Sequence, residues 1–121
     1  METINLQHGS GGEKQTELLN NLIFKNLANE ILNQKHDGAF LNLTGKLAFS
    51  TDSFVVSPIF FKGGNIGELA VFGTVNDISM CGAEPKYLSL SFIIEEGFSM
   101  EDFEKIIHSI KLATEKSGVQ I

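Results

Sequence analysis

Residues 87–94 alternate with a period of two. Leu88, Leu90, Phe92 and Ile94 fall on one side, and Tyr87, Ser89, Ser91 and Ile93 on the other. The pattern predicts a strand, opened by Pro85, with one strongly apolar face. Such a face must be covered, which restricts the chain to architectures that lay helices or a second sheet over it. A cover follows at once in the sequence. Ser99 as N-cap, Glu101 and Asp102 in the first turn, and Phe103, Ile106, Ile107, Ile110 and Ala113 at spacings of three and four predict an amphipathic helix. Lys116 lies near its end and Gly118 just past it.

Two further helices are predicted upstream. Leu18, Leu19, Leu22, Ile23, Leu27, Ile31 and Leu32 form a stripe over residues 14–33, and Ser10 with Glu13 fits a capping box at its start. Ile66, Leu69, Ala70, Phe72 and Ile78 predict a helix over 65–81 that ends at Gly82, with Gly67 and Gly73 inside it. Glycine in a helix costs about 0.8–1.0 kcal/mol against alanine, so something is expected to approach closely there. Phe40–Leu43 and Lys46–Phe49 flank Thr44-Gly45 and predict a β-hairpin. Phe54–Phe61 contains Pro58 and makes a poor central strand. Val119-Gln120-Ile121 reads as the start of another strand, at which the sequence stops, as expected of a fragment. The order helix, hairpin, helix, strand, helix predicts one two-layer α+β domain over 1–121, with helices on one sheet face and the other face solvated or paired with another subunit.

Composition bounds the partners. The 121 residues are 42% apolar and carry a net charge of −6, which suits a globular domain and argues against nucleic-acid binding. The apolar runs fall far short of the ~20 residues that cross a bilayer. No secretory signal opens the chain, and a lone Cys81 excludes an internal disulfide, so the cytoplasm is the expected compartment. Cys81 is expected to be a buried structural thiol, and His108 a surface or boundary residue.

Two patterns suggest chemistry. His8-Gly9-Ser10-Gly11-Gly12 precedes a helix, where free amides suit an anion, although the segment lacks the P-loop ending; a flexible helix start and a phosphate cradle both remain open. Asp37, Asp52 and Asp77 stand at separate chain breaks or, for Asp77, beside Asn76 in an apolar helix. Aspartates from separate elements suit Mg²⁺, a hard cation that prefers oxygen; ordinary turn, cap and surface roles are the alternative.

The ordered set Thr51-Asp52-Ser53, Phe60-Phe61-Lys62-Gly63-Gly64-Asn65-Ile66-Gly67, Gly73-Thr74-Val75-Asn76-Asp77, Gly82-Ala83-Glu84-Pro85 and Tyr87–Gly97, with the opening His8–Gly12, resembles the HypE family of hydrogenase maturation proteins. The single motifs are shared with the wider PurM-like, AIR synthase-related ATP-binding superfamily, and the likeness covers nearly the whole chain. It implies a PurM N-terminal-like domain with a mixed sheet that pairs in a homodimer. It implies an ATP- and Mg²⁺-dependent dehydration of a C-terminal S-carbamoyl cysteine to a thiocyanate, the source of cyanide ligands for [NiFe] hydrogenases. HypF would supply the carbamoyl group and a HypC–HypD complex would take the product. Residue by residue, Gly9, Ser10, Gly11 and Gly12 match the segment that covers the phosphates, Asn76 lies at the nucleotide, and Asp37, Asp52 and Asp77 match the acidic metal positions.

The family continues past residue 121 into a Gly-Asp-Thr-Lys motif and a second domain that ends in the modified cysteine. The present residues alone are therefore expected to be inactive. AIR synthase, selenophosphate synthetase and thiamine-phosphate kinase are the related enzyme alternatives, and a non-catalytic dimerisation module is the other.

Overall fold

A computed structural model describes residues 1–121. A 3₁₀ turn, Leu6–Gly9, leads into a helical run formed by α1 (Glu13–Leu18), a π-helical stretch Leu19–Phe24 and α2 (Lys25–Leu27). A second 3₁₀ turn spans Leu32–Gln34. Strands β1 (Phe60–Phe61) and β2 (Gly64–Asn65) form an antiparallel ribbon, with Phe60 opposite Asn65 and Phe61 opposite Gly64. Helices α3 (Ile66–Met80) and α4 (Met100–Ser117) follow.

Helix α4 forms where its signals place it. Ser99 Oγ accepts the Asp102 amide at 3.3 Å, and Gly118 closes the helix at φ +74°. Its apolar stripe is the centre of the core: Phe103, Ile106, Ile107 and Ile110 are all buried, Ile107 completely. Helix α3 crosses it closely. A Cβ on Gly67 would lie 2.7 Å from the Ile106 carbonyl oxygen and 3.0 Å from Ile110 Cγ1, so glycine is what permits the approach. Asn65 reinforces the crossing. Its Oδ1 accepts the Gly67 amide at 2.8 Å, capping α3, while its Nδ2 donates to Ser109 Oγ at 2.7 Å. Met100 and Ala113 of α4, with Ile4, Leu22, Leu27, Val71 and Val119, complete the buried cluster.

Burial along 87–94 follows the predicted alternation except at Tyr87, which is half-buried, and Phe92, which stays 39% exposed. Leu88, Leu90 and Ile94 pack on the core and Phe92 meets Phe103 edge-on at 5.1 Å, whereas Ser89, Ser91 and Ile93 are exposed. Ladder pairing is sparse, however. The predicted strand has one parallel bridge, Tyr87 to Gln120, in which the Leu88 amide donates to the Gln120 carbonyl at 2.9 Å. The expected strand at Val119–Ile121 thus exists only as this bridge. A second bridge, antiparallel, joins Thr3 to Ser99.

Three local expectations are corrected. The helix predicted over 14–33 stops at Leu27, because Asn29 Oδ1 accepts the Ile31 and Leu32 amides at 3.0 and 2.8 Å and turns the chain instead. The hairpin predicted across Phe40–Phe49 does not form. Gly45 takes the left-handed φ of +82° that such a turn needs, yet the flanking segments exchange no ladder bonds. Cys81 is exposed, at the C-cap of α3 and beyond the last turn that the helix buries. His108 is exposed, as expected. No helix is long and apolar enough to cross a membrane.

Candidate functional site

The glycine segment joins the first 3₁₀ turn to α1. Asn5 caps that turn through a reciprocal pair of bonds: its Oδ1 accepts the Gln7 amide at 3.1 Å, and His8 Nδ1 accepts the Asn5 amide at 3.0 Å. The capping box expected at Ser10 and Glu13 is therefore displaced to Asn5 and His8. Ser10 Oγ donates to the Gln7 carbonyl at 3.1 Å, and Gly12 stands at the N-cap of α1 with no side-chain bond. Gly9, Ser10, Gly11 and Gly12 are all exposed. Gly11 takes a φ of +83° and donates its amide to Gln15 Oε1. An amide carries one hydrogen, so Gly11 can meet an anion only after the Gln15 side chain turns away. Gln15 was not singled out by sequence; its one signal is its position four residues beyond Gly11. Beside this segment a groove of about 220 Å³ is lined by His8, Lys14, Glu2, Glu17 and Glu104, among others.

The three aspartates lie on different elements. Asp37 sits in the bend after the second 3₁₀ turn and is exposed. Asp52 is also exposed, and its Oδ1 accepts the Ser53 amide at 2.8 Å, leaving its second oxygen uncommitted. Asp77 is half-buried on the fourth turn of α3, next to exposed Asn76. The ion pairs of the chain join Lys86 to Glu84 and Lys105 to Glu101 and Asp102, so none neutralises Asp37, Asp52 or Asp77. Uncommitted carboxylate oxygens are the donor type that Mg²⁺ takes. The single chain nevertheless gathers no three acidic, histidine or cysteine side chains into one cluster. Asp37 and Asp52 flank the segment whose hairpin is unmade, which leaves both on backbone without a neighbouring strand.

One long-range contact ties Asp52 toward α3. Phe54, two residues on, lays its ring against Gly73: a Cβ there would lie 2.7 Å from both Cε1 and Cζ. Sequence flagged Gly73 as a point of close approach but had no means of naming the partner. Far from these residues, Lys105 has its pKa raised above 10.5 by hydrogen bonds to Glu101 first and Asp102 second.

Comparison with known proteins decides the family. The profile of the AIR synthase related protein, N-terminal domain, matches residues 35–121. The chain belongs to that family. It is 49% identical over 119 residues to a carbamoyl dehydratase HypE of Rhizobium leguminosarum bv. viciae, covering 98% of this chain and 34% of that protein. It superposes with a TM-score of 0.94 on a hydrogenase maturation protein HypE crystallised in complex with ATP, at 51% identity, over 96% of this chain and 35% of the other. A chain from a HypE–HypF complex matches with a TM-score of 0.59 and 45% identity, over 86% of this chain and 33% of the other. The chain thus spans about a third of the length of the proteins it matches.

Proposed function

We propose that these residues form the nucleotide-handling, pairing unit of a HypE-type carbamoyl dehydratase. The observation that carries this reading is the near-complete superposition on a HypE crystallised with ATP, at an identity where binding residues are commonly retained. The reaction would convert an S-carbamoyl cysteine to a thiocyanate. A carboxamide oxygen is a poor leaving group; transfer of a phosphoryl group from ATP to it makes it one, and loss of phosphate and the amide protons leaves the nitrile. In this reading the main-chain amides of Gly9, Ser10, Gly11 and Gly12 cover the phosphates, and Asn76 hydrogen-bonds nearby. Asp52, Asp77 and Asp37 would hold Mg²⁺, which offsets phosphate charge when bound. The exposure of Asp37 and Asp52, the partial exposure of Asp77 and the freedom of all three from ion pairs keep them available for that role. The cysteine, the lysine and the proton acceptors would lie outside these residues.

The exposed apolar residues Phe40, Leu41, Leu43, Leu47 and Phe49 support pairing with a second copy, which would also complete the hydrogen bonding of the unpaired segments. A HypF-type carbamoyl donor and a HypC–HypD acceptor complex are the proposed partners, and the cytoplasm the proposed site of action. Calorimetric titration with Mg·ATP tests the assignment. The wild-type protein should bind, and Asp77→Ala should weaken binding by roughly 10- to 100-fold, the range seen when a metal's support is removed. Equal binding by both would overturn the role given to Asp77.

A further inference from the structure

We propose that Phe54 and Gly73 form a positioning contact that sets the spacing between Asp52 and Asp77; the proposal rests on the nucleotide-binding reading above. Gly73 sits in the middle of α3, where glycine weakens a helix by about 0.8–1.0 kcal/mol relative to alanine. Nothing in the backbone explains it, because Gly73 has ordinary helical geometry and no positive φ. The occupant of the missing side chain's space explains it. The tip of the Phe54 ring lies where a Cβ would be, 2.7 Å from two of its carbons. The ring therefore rests directly on the helix backbone, at a depth that no other residue type at 73 would allow.

The consequences run in both directions from that contact. Asp52 precedes Phe54 by two residues, so the extended chain holds it within about 7 Å of the anchored Cα. Asp77 follows Gly73 by four residues, on the same flank of α3 and about 6 Å along its axis. Phe54 is half-buried between Ser53 and Val55, both exposed, so the ring is what fastens this stretch to the helix. Neither carboxylate is drawn away by an ion pair, and no intervening element separates the anchor from either. Phe54 and Gly73 act by fixing the approach of one carboxylate to the other.

The test uses the complete gene product, with Mn²⁺ as the metal probe read by electron paramagnetic resonance, and Mg·ATP read by calorimetry. Gly73→Ala drives a methyl group into the ring and should weaken Mn²⁺ binding by roughly 10- to 100-fold, as loss of outer support does at metal sites. Its thermal midpoint should not fall in parallel, because alanine favours the helix. Phe54→Ala frees the segment and should weaken Mn²⁺ similarly. Gly73→Ala combined with Phe54→Leu makes room for the methyl group and should recover affinity toward wild type with no matching change in thermal midpoint, a separation that a merely structural role would not produce. Unchanged Mn²⁺ affinity in Gly73→Ala, or in Phe54→Ala should the first variant fail to fold, overturns the proposal. So does a folded double variant that binds no better than Gly73→Ala. A wild-type protein that binds neither Mn²⁺ nor Mg·ATP overturns instead the nucleotide reading, and this proposal falls with it.

Discussion

Helix α4 and the segment 33–49 are both rich in apolar side chains, and they end in opposite states. Phe103, Ile106, Ile107 and Ile110 are buried, while every residue from 33 to 49 is exposed, Phe49 to 91%. Hydrophobicity does not separate them; backbone hydrogen bonding does. A helix satisfies its own amides and carbonyls and needs a neighbour only for its stripe, which α3 supplies. An extended segment needs a second strand before its polar backbone can leave water. The helical half therefore folds on what this chain contains, and the extended half is left without a ladder partner.

The contrast can be broken most forcefully at the helical side. Ile107→Ala, at the most buried side chain, should lower unfolding free energy by about 2–5 kcal/mol in urea melts. Gly67→Ala places a methyl group against the rigid Ile106 carbonyl and should lower it by about 1–3 kcal/mol, with the α3–α4 crossing opened. On the extended side, Phe49→Ser should change monomer stability by no more than about 0.5 kcal/mol. The same substitution should shift sedimentation away from the homodimer proposed above and toward monomer; a large loss of monomer stability would show that the segment is packed after all. The smallest effect is expected at Lys105. Its raised pKa means that the favourable contribution is complete through neutral pH and fades only as pH climbs past 10.5 through the folded value. Glu101→Gln should lower the Lys105 titration midpoint in NMR while leaving the melt at pH 7 unmoved.

What was legible in the sequence follows the same division. Ser99, the stripe from Phe103 to Ala113 and Gly118 are local signals, and α4 obeys all of them. The alternation at 87–94 predicted which side chains pack, because burial depends on a single face. It did not predict ladder bonds, which depend on a partner. Asn29 falls inside the helix predicted over 14–33, whereas its side chain ends the helix and, through Nδ2, also binds the Ile121 carbonyl at 2.8 Å. That bond joins residues 92 positions apart and leaves no local trace. The candidate site was legible as residue types, glycines before a helix and isolated aspartates. Its assembly was not, since Gln15 on Gly11 and Phe54 on Gly73 are contacts between side chain and backbone that no spacing rule encodes.

The chain's sole thiol sits in solvent at the end of α3, one helical turn beyond Asp77. Within residues 1–121 a maleimide fluorophore would couple at that one position, with no engineered cysteine and no disturbance of the core. The natural sequence thus carries its own reporter handle beside the carboxylate whose surroundings most need watching.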